Sequence, residues 1–163
     1  MRESPEIGIG AAIVPALGLG GLMVGTPIRQ ISEWLRGEAL RGEALYRLAG
    51  VFEARYRISS GIIELAVDVR NGKVARLTAF EGYQGALFGL IRPGMLVGEA
   101  MRLDPRLQYD EGEGLLLCAG HPGVSLDLAD DDPELAGVPN LRIVAVSVTL
   151  ANIDSPAVQR GDW

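Results

Sequence analysis

The sequence holds one cysteine, one histidine and one lysine among 163 residues, and these scarcities remove whole classes of chemistry. With Cys118 alone no internal disulfide can form, which fits a reducing compartment. A zinc site takes three or four Cys, His or carboxylate ligands. Cys118 and His121 would have to borrow acids, and no suitable spacing supplies them. Lys73 lies in a turn sequence, so no P-loop lysine exists. Gly8-Ile9-Gly10 and Gly18-Leu19-Gly20 each lack the third glycine of a dinucleotide fingerprint, because Ile13 and Met23 stand there. The expectation is therefore no cofactor and no metal.

Positive charge is short as well. Fifteen basic residues against 21 acidic ones leave a net charge of −6, and no basic run occurs. Nucleic acid is excluded as the expected ligand on that ground. An acidic surface serves solubility, or it meets a basic protein and speeds the encounter. Aromatics are only 6% of the chain, so the core must rest on Leu, Ile, Val and Ala.

One charge-free run, from Ile7 to Ile28, is long enough to span a bilayer. Pro15 and the glycines at 8, 10, 18, 20, 21 and 25 make it a poor helix. The acids before it outnumber the bases, unlike a signal peptide. It reads as a buried strand-and-turn segment with no membrane span, and the cytoplasm, rather than the periplasm, is the default compartment.

What is present points to strands. A content of 22 glycines favours many turns and short elements. Ile62–Val69 and Val74–Phe80 flank Arg70-Asn71-Gly72-Lys73, where Asn-Gly predicts a type I′ hairpin. Ile63, Leu65, Val67 and Val69 share one face, opposite Glu64, Ala66 and Asp68. Val51–Ser59 alternates in the same way, with Phe52, Ala54, Tyr56 and Ile58 against Glu53, Arg55 and Arg57. Further strands are expected at Leu107–Asp110, Leu115–Ala119, Val124–Leu128 and Leu141–Leu150, the last being the central one. Thr26 as cap and Pro27 at the first position predict a helix that presents Ile28, Ile31 and Leu35. A tandem copy, Arg36–Leu40 and Arg41–Leu45 (RGEAL twice), extends that helix or forms a surface loop. A short helix is expected over Glu99–Leu103, stopped by Asp104-Pro105. The class is α+β in one domain, 1–163, mainly antiparallel sheet with a few short helices.

The halves are alike. Gly21–Ile28 (GLMVGTPI) matches Gly94–Met101 (GMLVGEAM) in kind at nearly every position. Each opens a helix that strands follow, which suggests two degenerate helix-plus-sheet repeats, 14–84 and 85–152. Through these residues the chain resembles the tandem repeats of β-lactamase-inhibitor proteins and small outer-membrane-assembly lipoproteins. It departs from them in lacking a long first helical hairpin and a cysteine near the start. The resemblance implies a sheet surface that grips another protein, and bacterial toxin-immunity proteins are similar in size and acidity.

Weighed residue by residue, catalysis finds little. Cys118 sits in an apolar strand and His121 in the turn after it, a poor basis for a nucleophile–base pair. Asp130-Asp131-Asp132, between Asp127 and Glu134, lacks the EF-hand spacing and reads as a solvated loop. Trp34 reads as a core anchor and Trp163 as a tail residue. The expected function is a non-enzymatic protein-binding domain, an immunity or inhibitor protein that occludes a basic bacterial toxin or enzyme. Candidate contact residues are Asp110, Glu111, Glu113, Asp130, Asp131, Asp132 and Glu134, with Tyr83 and Tyr109 as aromatic anchors. The alternative is a small-molecule-binding domain with its pocket between the repeats, or a carboxylate-dependent hydrolase.

Overall fold

Strand alternation decides the architecture. In β4 (Glu53–Ile58), β5 (Ile63–Asp68) and β6 (Lys73–Phe80), the apolar set Ala54, Ile58, Ile63, Leu65, Val67, Leu77 and Ala79 is buried. In β7 (Leu107–Asp110), β8 (Leu115–Cys118), β9 (Val124–Leu128) and β10 (Ile143–Thr149), the buried set is Leu107, Leu116, Cys118, Val124, Leu126, Leu128, Ile143, Val146 and Val148. The structure, a computed structural model, describes residues 6–163. With β3 (Leu45–Leu48) these strands form one eight-stranded antiparallel sheet in the order β3-β4-β5-β6-β10-β9-β8-β7. As expected, β10 lies centrally, paired with β6 and β9.

The core lies on one face of this sheet. The run from Ile7 closes it as a set of short extended pieces rather than a helix. There β1 (Gly18–Leu19) and β2 (Leu22–Met23) pair, and Ile13, Leu19 and Leu22 are buried. Three helices are short: α1 (Ser32–Leu40), α2 (Val97–Leu103) and α3 (Pro156–Gln159). Among the described residues, no helix is long and apolar enough to cross a membrane.

Four local readings need correction. Type I′ geometry requires positive φ at both central residues, but only Gly72 has it, at +70°. The β5–β6 turn is instead a four-residue loop closing on the Asp68–Lys73 pair, and Asn71 Oδ1 accepts from the Lys73 amide at 2.9 Å. Thr26 caps nothing. The backbone of residues 25–28 is used by the start of β6, so a 3₁₀ turn begins at Ile28 and α1 only at Ser32. The second helix begins two residues earlier than expected, at Val97. The two RGEAL copies differ: the first ends α1, whereas the second leaves it through Gly42 at φ +77° and enters β3, a strand the sequence did not suggest.

Each half of the sheet is a four-stranded meander that follows a helix. The entry segments behave alike. Gly25 N–H donates to Val74 O, Val74 N–H to Thr26 O, and Ile28 N–H to Gly72 O. In the second half Gly94 donates to Ile143 O, Ile143 to Met95 O, and Val97 to Leu141 O. Corresponding residues are 69 apart, the separation of Thr78 and Ser147, which face each other across β6 and β10. In this hydrogen-bond pattern Gly25, rather than Gly21, takes the place that Gly94 has in the second half.

Candidate functional site

The second face of the sheet is open. Alternation puts Glu53, Arg55 and Arg57 of β4 there, with Glu64, Ala66 and Asp68 of β5 and Arg76, Thr78 and Phe80 of β6. Across the centre follow Ala145, Ser147 and Thr149 of β10, Ser125 and Asp127 of β9, and Leu115 and Leu117 of β8. The segment after β10 crosses one end: Trp163 Nε1 donates to Asp68 Oδ2 at 3.2 Å and Arg70 to Gln159 O at 2.7 Å. The remainder forms a groove of about 1070 Å³.

Its floor is polar and internally paired. Thr78 Oγ1 and Ser147 Oγ are 2.9 Å apart at the centre. Glu53 pairs with Arg55 at 2.8 Å and Arg76 at 3.0 Å, and Glu64 with Arg57 at 3.0 Å. The Arg57 guanidinium lies 4.1 Å from the Phe80 ring centroid. Arg76 of β6 thus joins Arg55 and Arg57 of β4 on one face, although no basic run exists. The two glutamates pair with these arginines and offset much of their charge. Sequence reasoning missed this face as a site. The available signal was the Glu53–Arg55–Arg57 alternation, which marks a charged outer face without showing that it is concave.

Asp127 is the titratable group the groove perturbs. Loss of hydration between the sheet walls raises its pKa, Arg76 opposes the rise, and Asp131 adds to it. Elsewhere Asp68 is held below its usual range by the Arg70 side chain, and Asp104 by Arg106. The consequences have opposite signs. Asp127 costs stability when ionised, a cost relieved as pH falls toward 3.8, the ordinary carboxylate value. Asp68 and Asp104 stabilise above that value, and their contribution is lost as pH falls below it. Denaturation midpoints should therefore rise modestly on mild acidification and then collapse. Asp127→Asn should flatten the rise without moving the collapse; an unchanged profile would refute the assignment.

The acidic residues named from sequence divide cleanly. Asp110 and Glu113 line the groove. Glu111, Asp130 and Asp132 crowd Tyr109 together with Asp110, and burial and these charges raise the tyrosine pKa. The two loops touch, since a Cβ on Gly114 would lie 3.1 Å from Asp131 O. Their acids are used locally: Asp110 Oδ1 accepts from Glu113 N–H at 2.8 Å and Asp130 Oδ1 from Asp132 N–H at 3.0 Å. Glu134 is exposed just before the 3₁₀ turn Leu135–Asn140. Tyr83 is the exception. It is only 3% exposed, and its hydroxyl accepts from Gly20 N–H and donates to Ala11 O, so it fastens the N-terminal segment and offers no surface to a partner.

Burial pushes the Cys118 thiol up, away from the thiolate that a nucleophile needs. Arg106 donates to His121 Nε2 at 2.8 Å, which places the neutral imidazole's proton on Nδ1. Among the described residues no group of three or more His, Cys, Asp or Glu is arranged to hold a metal ion.

The fold is similar to the crystal structure of the uncharacterized protein yfeY from Escherichia coli. Sequence identity is 15%, the TM-score is 0.51, and the match covers 83% of this chain and 98% of that chain. No family model and no curated protein matches the chain. The likeness establishes a shared fold alone.

Proposed function

We propose that this chain is a non-enzymatic protein-binding domain of the immunity or inhibitor type, which covers part of a bacterial toxin or enzyme with the open face of its sheet. The groove carries this reading. It is wide, its polar floor is already hydrogen-bonded, and its β8 side presents Leu117, 37% exposed, and Leu115. A surface with few unsatisfied groups and exposed apolar side chains suits a protein contact. The acidic loops at its edge would steer a basic partner. We further propose that the two halves derive from an internal duplication, supported by the matched hydrogen bonds of Gly25–Ile28 and Gly94–Val97.

The test uses the product of the neighbouring gene as partner. Leu117→Arg with Ser125→Arg should weaken binding about 100-fold. Reversing Asp130, Asp131 and Asp132 to lysine should cost about tenfold, mainly in association rate. Retention of a metabolite in native mass spectrometry, with no protein partner recovered, would favour the second reading. That reading is a small-molecule site around Asp127, the groove carboxylate whose pKa is raised.

A further inference from the structure

The two edges of the eight-stranded sheet are treated very differently. At β7 the outward-facing Leu107 N–H is taken by Asp104 O at 3.1 Å. Pro105 precedes that strand, Asp110 ends it and Glu111 follows. These are the features that discourage edge-to-edge pairing. At β3 there is no proline, and the single charge within the strand is Arg47. Leu45, Tyr46 and Leu48 are 72%, 58% and 65% exposed, and Val51 and Phe52 extend the same apolar border.

The ladder shows which backbone groups are free. Ala49 N–H donates to Glu53 O at 2.9 Å, so the hydrogen-bonded pairs with β4 are 49–53, 47–55 and 45–57. The N–H and C=O groups of Ala44, Tyr46 and Leu48 therefore point away from β4. Among the described residues they have no hydrogen-bond partner.

We infer that β3 is a homodimer interface, at which a second copy of this chain adds its own β3 antiparallel across a two-fold axis through the Leu45 pair. Charge chooses this register. It pairs Tyr46 with Ala44 of the partner subunit through the free backbone groups. It also sets Arg47 opposite Glu43 of the partner subunit, twice by symmetry. Arg47 is exposed and has no ion-pair partner among the described residues. Moving the two-fold axis to the Tyr46 pair would set Arg47 opposite Leu45 and lose both opposite-charge pairs, and moving it to the Arg47 pair would oppose Arg47 to its own copy, which is unfavourable. The pairing leaves the groove open and does not depend on what the groove binds.

The test is sedimentation equilibrium of the purified chain and two charge variants. The parent chain should dimerise. Glu43→Arg and Arg47→Glu, each alone, bring like charges together and should weaken association about tenfold or more. Mixed in equal amounts the two variants restore opposite charges at both pairs, so a heterodimer should form about as tightly as the parent dimer. Circular dichroism checks that these exposed substitutions leave the fold intact. A parent chain that stays monomeric at millimolar concentration overturns the proposal. So does a dimer indifferent to both substitutions, or a mixture in which the heterodimer does not recover.

Discussion

Replacing Gly85 by alanine is expected to destabilise the chain by about 3 kcal/mol or more, although it adds one methyl group. That methyl would lie 1.9 Å from Ala11 O and 2.7 Å from the Tyr83 ring. Neither neighbour can give way. Ala11 O accepts from the Tyr83 hydroxyl at 2.6 Å, and the adjoining backbone is fixed by Gly85 N–H to Ile9 O and by Ile13 N–H to Ala86 O, both at 3.0 Å. The Tyr83 hydroxyl also serves Gly20 N–H at 2.7 Å, so displacing the ring leaves buried polar groups without partners. Urea denaturation of Gly85→Ala against parent measures the effect. Gly137→Ala, where a Cβ meets nothing within 4 Å, is the control and should change stability little. Equal effects at the two glycines would show that close approach is not why position 85 requires glycine.

Leu77→Ala should cost about 3 kcal/mol, within the range for a large core side chain that leaves a cavity. Leu77 is fully buried in β6 between Leu65 of β5 and Val148 of β10, its direct partners, which are also fully buried. Rigid strands on both sides limit collapse into the space. The neighbouring Thr78→Ala changes the opposite face and loses one hydroxyl contact with Ser147, worth about 1 kcal/mol. Chemical denaturation should thus show a sharp alternation between adjacent positions, with the midpoint shifted and the slope unchanged for both. A Leu77→Ala cost no larger than that of Thr78→Ala would contradict the assignment of the core to that face.

How far the sequence could be read depended on how local each cause was. Period-2 patterns in Glu53–Ile58, Ile63–Asp68 and Val124–Leu128 specify strand and core face, because side chains alternate across a strand, although pairing on both sides buries every residue of Ile63–Asp68. The acidic loops could be named, but not their convergence on Tyr109, which depends on β7 and β9 flanking β8. Tyr83 could not be separated from Tyr109 as a surface residue. Its burial follows from a segment some seventy residues earlier in the chain that packs over it.

The scarcities of cysteine, histidine, lysine and basic runs were properties of the sequence by itself, and so were the strand periods and the central place of Ile143–Thr149. The groove was not: Arg55, Arg57 and Arg76 share it only because β4, β5 and β6 pair in register. The RGEAL copies mark the boundary most clearly. Arg36–Leu40 is helical, and the identical Arg41–Leu45 turns through Gly42 into β3. Each of the five residues biases the backbone by at most about 1 kcal/mol, the glycine most. The backbone hydrogen bonds that the neighbouring strand β4 offers outweigh that bias, and tertiary structure makes the choice.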